Sequence, residues 1–194
     1  MKKTPIKKKT ERFCACGCGR IVRVFNSVRD KYFNLNCQKN QTKKPTICSF
    51  SKKELQSKIN TIVKLIDKGH PCIVLNTYKD IEAGHYFSIG SNETLRFNLI
   101  NIWVQSKESN QFRAGETDQM RNSLMKMFGQ DFLDSLEALK STPPIKPKAF
   151  EIEEYIKRCN TIIKWLKSQK NTFTIQERLS LRIKFNKEIG IYPF

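Results

Sequence analysis

The chain of 194 residues carries 36 Lys and Arg against 18 Asp and Glu, a formal net charge of +18. Like charges repel in a compact state, so folding does not reward this excess. A phosphate backbone does, because it releases counterions on meeting such a surface, and a polyanion is the expected partner. The opening MKKTPIKKKTER has the charge of a secretory leader, but no apolar stretch follows it and no membrane anchor is recognisable. The expectation is a cytoplasmic protein with no membrane partner.

One domain with small appendages is expected at this length, and 39% hydrophobic residues, 13 Phe among them, suffice for a core. Residues 1–12 read as a basic arm, disordered until it meets DNA, with Lys7, Lys8, Lys9 and Arg12 as DNA contacts. Residues 13–45 read as a Cys-rich knuckle, too small to bury a core without a metal. A core over 50–140 and a helical segment over 150–194 follow.

Leu55, Ile59, Ile62, Val63 and Ile66 recur at helical spacing, with Ser51 and Glu54 as a capping box and Gly69 as the close. After Pro71, short β-like runs are predicted over 72–75, 81–87 and 97–104. Helical spacing resumes with Leu124, Met127 and Phe128 and continues through Phe132, Leu133, Leu136 and Leu139, until Pro143, Pro144 and Pro147 break it. Ile152, Tyr155, Cys159, Ile162, Ile163 and Leu166 mark another amphipathic helix. In the last segment Thr174 and Glu177 fit a helix cap while Leu179, Leu181, Ile183 and Phe185 alternate as in a strand; Gly190 as a terminator favours helix.

Two constellations carry chemistry. Cys14, Cys16 and Cys18, with Cys37 as a fourth thiolate, suit a closed tetrahedral structural Zn²⁺ site, the alternative being free thiols. Cys48, Cys72 and Cys159 stand alone and read as small buried hydrophobes. The second constellation is His85 in Ile81-Glu82-Ala83-Gly84-His85-Tyr86, followed by Leu95-Arg96-Phe97-Asn98, Asn101-Ile102 and Asn110. Spacing alone leaves His85 open to a structural reading.

These blocks, with Gln111, Gly115, Gly129, Asp134 and the helix opening at Ile152, resemble the NinG family, also called Rap, phage recombination endonucleases of the HNH (ββα-metal) type. The likeness runs over roughly residues 12 to 168 and is most specific over 70 to 139. It implies an α+β fold: an N-terminal zinc knuckle, a ββα-metal core and flanking amphipathic helices. It also implies His85 as general base, Asn101 as a brace for the hairpin, and Asn110 with Glu82 as ligands of a catalytic Mg²⁺ or Mn²⁺. Arg96 and Arg113 become phosphate clamps, against the alternative of solvated surface cations. The chain departs from the family pattern at Leu75, Ser106 and Ser109, where paired cysteines are expected, and at Phe112, where a histidine is expected. Either packing from Trp103 and Phe112 substitutes for the lost metal, or the catalytic hairpin is looser and activity is reduced.

The function implied is a phage- or bacterium-encoded endonuclease, dependent on a divalent metal and selective for branched DNA such as D-loops and Holliday junctions. Other recombination proteins are possible partners, and four-way junctions favour a homodimer. The alternatives are a non-catalytic binder of branched or single-stranded DNA and a zinc-knuckle transcriptional or adaptor protein.

Overall fold

In this computed structural model the described residues are 12–13, 21–22, 47–112 and 116–192. The chain divides into two compact units, residues 1–46 and residues 47–194. In the first, β1 (Arg12–Phe13) pairs antiparallel with β2 (Ile21–Val22), Arg12 opposite Val22. Cys14, Cys16, Cys18 and Cys37 lie outside the described residues, as do Lys7, Lys8, Lys9 and the side chain of Arg12.

The second unit runs α1 (Ile47–Ile66), β3 (Ile81–His85), β4 (Ile102–Ser106), a π-helical turn (Glu108–Phe112), α2 (Thr117–Phe128), α3 (Gln130–Ala138), α4 (Ala149–Ser168) and α5 (Ile175–Ile189). Mixed helices around one antiparallel hairpin make this an α+β fold. The helices expected after residue 150 belong to the same unit as the hairpin. Among the described residues no helix is long and apolar enough to cross a membrane.

β3 and β4 pair with Glu82 opposite Gln105, Gly84 opposite Trp103 and His85 opposite Ile102. Side chains alternate across a strand. One face of the hairpin therefore gives Ile102 and Val104 to a core with Leu55, Ile59, Ile62 and Val63 of α1 and Ile152, Cys159 and Ile163 of α4. The other face gives Trp103 to a second core with Met120 and Leu124 of α2 and Leu133 and Leu136 of α3.

Local chemistry explains where structure and sequence pattern part. The first helix begins at Ile47, so Ser51 lies inside it and the expected capping box is not its start; nothing from Ile47 to Phe50 breaks a helix. Residues 72–75 form a turn, because Cys72 Sγ accepts the N–H groups of Val74 (3.4 Å) and Leu75 (3.3 Å) while its carbonyl accepts Asn76 N (3.0 Å). Residues 97–101 are irregular and 3₁₀-helical because the Asn98 side chain accepts Ile100 N at 2.9 Å, the competition with ladder pairing that Asn offers. The final segment is helical: Thr174 and Glu177 close a reciprocal capping box and Gly190 ends the helix at φ 82°. Cys72 and Cys159 are buried free thiols, and burial pushes the Cys159 thiol up to about 12.

One buried ionic cluster joins the helices to the hairpin. Asp67, just past α1, accepts from Arg182 Nη2 (2.6 Å), Arg178 Nη1 (3.2 Å) and Val104 N (3.3 Å). The Arg182 guanidinium lies 3.8 Å from the centre of the Trp103 ring and donates through Nε to the Leu99 carbonyl (3.1 Å). Removing one member of a buried ion pair leaves a charge without compensation. Asp67→Asn is therefore expected to lower stability by about 3–5 kcal/mol, measured by urea unfolding; a loss below ~1 kcal/mol, the range of an exposed pair, would refute the role given to this cluster.

Candidate functional site

Glu82, Gly84 and Gln105 share one face of the hairpin, and the π-helical turn brings Asn110 and Gln111 to it. Such turns open a helix by one residue and are frequent at functional sites. Glu82 Oε2 accepts from Asn110 Nδ2 (3.2 Å) and Gln111 Nε2 (2.8 Å), and Glu82 Oε1 accepts from Gln111 Nε2 (3.0 Å). The turn is anchored from beneath, where buried Ser109 donates its N–H to Ser106 Oγ (3.3 Å) and its Oγ accepts from Gln105 Nε2 (3.4 Å). Ser106 and Ser109 thus hold by hydrogen bonds the spacing at which the family resemblance expects a cysteine pair. Trp103 packs in the second core as expected; the side chain of Phe112 and the whole of Arg113 lie outside the described residues.

Gly84 makes the cluster possible. A Cβ there would collide with the Gln105 carboxamide and sit 2.9 Å from Asn110 Oδ1, tighter than van der Waals contact allows.

His85 closes β3. Its Nε2 lies 2.8 Å from the Arg96 carbonyl, which can only accept, so the proton sits on Nε2 and the free lone pair on Nδ1. Burial lowers the pKa of His85 below its ordinary 6.5; the nearby Arg96 guanidinium adds to this and the hydrogen bond to the Arg96 carbonyl opposes it. The imidazole is neutral at physiological pH. Below pH 6.5 the unfolded chain binds a proton that the folded one resists, so this group makes stability fall as pH drops through that range.

Asn101 fixes the loop that orients His85. Fully buried, it accepts Phe87 N at Oδ1 (2.8 Å) and donates through Nδ2 to the carbonyls of Phe87 (3.0 Å) and Leu95 (3.2 Å). Phe87 lies two residues after His85, and Leu95 immediately precedes Arg96. The Arg96 side chain is held toward α1, its Nε donating to Gln56 Oε1 at 3.3 Å and its guanidinium 5.3 Å from the Phe97 ring.

The predicted residues therefore fall into two sets. Glu82 and Asn110 meet directly; His85, Asn101 and Arg96 are joined through the loop. Alternation places Glu82 and His85 on opposite faces of β3, and among the described residues no hydrogen bond joins His85 to Glu82 or Asn110. Gln105 and Gln111 were not foreseen. Gln105 stands opposite Glu82 in the register but has no sequence signal of its own, whereas Gln111 adjoins Asn110 within the stretch that carries the family resemblance and has no role assigned by it.

A family model described as Bacteriophage Lambda NinG protein matches residues 7–171. The chain belongs to the NinG family. Protein ninG of Escherichia phage lambda is 32% identical over 88 residues, covering 44% of this chain and 43% of that relative. Protein ninG of Escherichia phage 933W is 31% identical over 88 residues (44% of each chain), and that of Salmonella phage P22 is 30% identical over 88 residues (44% and 43%). The aligned stretch spans less than half the length of these NinG relatives. No solved structure matches the chain.

Gly84→Ala in this NinG chain is expected to displace the Gln105 and Asn110 carboxamides. It should cost about 1–3 kcal/mol, the range for overpacking a closed site. Unfolding of the variant against the parent measures this, and equal stability would show that the cluster yields without cost.

Proposed function

We propose that this member of the NinG family is a structure-selective DNA endonuclease that depends on a divalent metal, with His85 Nδ1 as the general base. The observation that carries this reading is the Nε2–H donated to the Arg96 carbonyl. It leaves Nδ1 as the proton-accepting nitrogen on an imidazole whose lowered pKa keeps it neutral at physiological pH. Asn101 is a positioning residue, holding Leu95 and Phe87 so that the Arg96 carbonyl meets the ring.

The Glu82 carboxylate and the Asn110 carboxamide are hard oxygen donors that suit Mg²⁺ or Mn²⁺, ions that keep much of their water and need few protein ligands. Such an ion, when bound, stabilises negative charge on the phosphate and leaving oxygen. The Gln111 and Asn110 amides hold the carboxylate in place before an ion arrives. Arg96 and Arg113 serve as phosphate clamps, and the arm with Lys7, Lys8, Lys9 and Arg12 adds salt-dependent affinity for the backbone. Branched recombination intermediates, D-loops and Holliday junctions, are the proposed substrates, with a homodimer and other recombination proteins as partners.

A second reading, a non-catalytic binder of branched or single-stranded DNA, is favoured by one observation, the placement of Glu82 and His85 on opposite faces of β3. Labelled linear, forked and four-way DNA incubated with Mg²⁺ or Mn²⁺, or with chelator, separates the two. Nuclease action requires metal-dependent cutting, reduced about 10²–10⁴-fold in His85→Ala with DNA binding intact. Binding without cutting identifies the second reading, and equal cutting by His85→Ala removes His85 from the mechanism. A base must be neutral to act, so the rate is lost as pH falls through the His85 pKa, and the half-maximal point is expected below pH 6.5.

For Cys14, Cys16, Cys18 and Cys37 we propose a structural Zn²⁺, on the strength of three thiolates at tight sequence spacing and a fourth further along the chain. One zinc per purified chain is expected by elemental analysis; a clear deficit, with no uptake from added zinc, would refute it.

A further inference from the structure

Beyond the end of α1, between the turn at residues 72–75 and α2, lies a cavity of about 390 Å³. Asp67, Asn76, Trp103, Ser123, Lys126 and Arg178 are among its lining residues. Glu82, His85 and Asn110 do not line it.

Charge decides what the cavity suits. The single carboxylate of Asp67 faces two guanidinium groups, and among the described residues no second carboxylate pairs with either arginine. The buried cluster thus holds one positive charge more than it compensates. Arg182 is wholly enclosed, with Asp67 beside it and Trp103 beneath, whereas Arg178 forms part of the cavity wall. The Nε–H of Arg178 is buried and meets no acceptor among the described residues, a state that costs free energy until one is supplied. Lys126, exposed on α2, adds a second cation to the wall, and Ser123 one turn earlier adds a hydroxyl.

A metal cation would meet net repulsion here, and an apolar ligand would bury charge without compensation. An anion with several acceptor oxygens answers both cations, as in charge-assisted recognition of phosphate by arginine and lysine. We propose that this cavity is a phosphate-binding site, with Arg178 and Lys126 as its cations and Ser123 as a neutral donor, separate from the site around Glu82 and His85. The phosphate can belong to a DNA strand or to a free small molecule.

The test uses the full chain. Calorimetric titration with inorganic phosphate, against chloride at equal ionic strength, is expected to show one saturable site. That site should weaken about tenfold or more in Lys126→Ala and in Arg178→Gln, the loss of a charge-assisted contact, and stay unchanged in Lys164→Ala, a control on the exposed face of α4. Should Arg178→Gln fail to fold, Lys126→Ala against Lys164→Ala decides alone. Two further arms identify the source. Tighter binding of a 5′-phosphorylated single strand than of its unphosphorylated twin, lost in Lys126→Ala, assigns a strand terminus; tighter binding of a nucleoside monophosphate than of either strand assigns a small molecule. Absence of saturable phosphate binding, or binding that all three variants weaken equally, overturns the proposal. Cutting of DNA does not enter this readout, so the site stands or falls independently of the nuclease reading.

Discussion

The loop that orients His85 depends on the polar side of α5 being buried. Arg178, Arg182 and Asn186 follow one another at four-residue spacing and so share one face of the helix. Arg182 reaches the carbonyls of Leu99 and Ile102 and the carboxylate of Asp67. Asn186 accepts Leu99 N and donates to Asn98 Oδ1. Beyond the helix, Tyr192 donates its hydroxyl to the Thr94 carbonyl at 2.6 Å and accepts Phe97 N. The stretch from 94 to 101 is irregular and 3₁₀-helical; some of its backbone groups bond within it, but Thr94 O, Phe97 N and Leu99 N would otherwise be buried without partners. The helix and Tyr192 supply those partners, so the loop can be both irregular and fixed.

That rigidity passes to His85 by a short route. α5 and Tyr192 hold the loop from one side, and Asn101 ties it to Phe87 from the other. The Arg96 carbonyl is left in one place, where it sets the tautomer and orientation of the imidazole. The second set of residues depends on a different device. Gly84 omits a side chain where the Gln105 and Asn110 carboxamides come together, and the π-helical turn presents Asn110 and Gln111 to Glu82. The two devices share only the hairpin, so damage to one need not disturb the other.

How much of this was legible in the sequence follows from the range of the interactions. Helices declared themselves wherever apolar periodicity was long, as in α1 and α4, and the end of α5 was settled by Thr174, Glu177 and Gly190, whose roles are local. The runs at 72–75 and 97–101 misled, because β-like composition was overridden by side-chain bonds from Cys72 and Asn98 that periodicity does not register. Glu82 and Asn110 were found by resemblance and do meet. The Asp67, Arg178 and Arg182 cluster left no mark, since charged residues on a helix ordinarily face water and only the fold, joining positions more than a hundred residues apart, buries them. Their spacing of four, followed by Asn186, was the available signal, and it is indistinguishable from a solvated stripe until a partner is known.

Charge is distributed unevenly along the chain. Residues 1–46 contain thirteen Lys and Arg against two acidic residues, while residues 47–194 contain twenty-three against sixteen. Most of the excess therefore lies in residues 1–46, which hold neither His85 nor Glu82. Attraction by such an excess is long-ranged, insensitive to sequence and screened by salt. The hairpin unit is closer to balance, and two of its arginines are spent on Asp67 inside the fold, where salt does not screen them effectively. Within that unit the Glu82 carboxylate has the Asn110 and Gln111 amides as hydrogen-bond partners. Most of the excess is thus carried at sequence positions other than those that fix the loop.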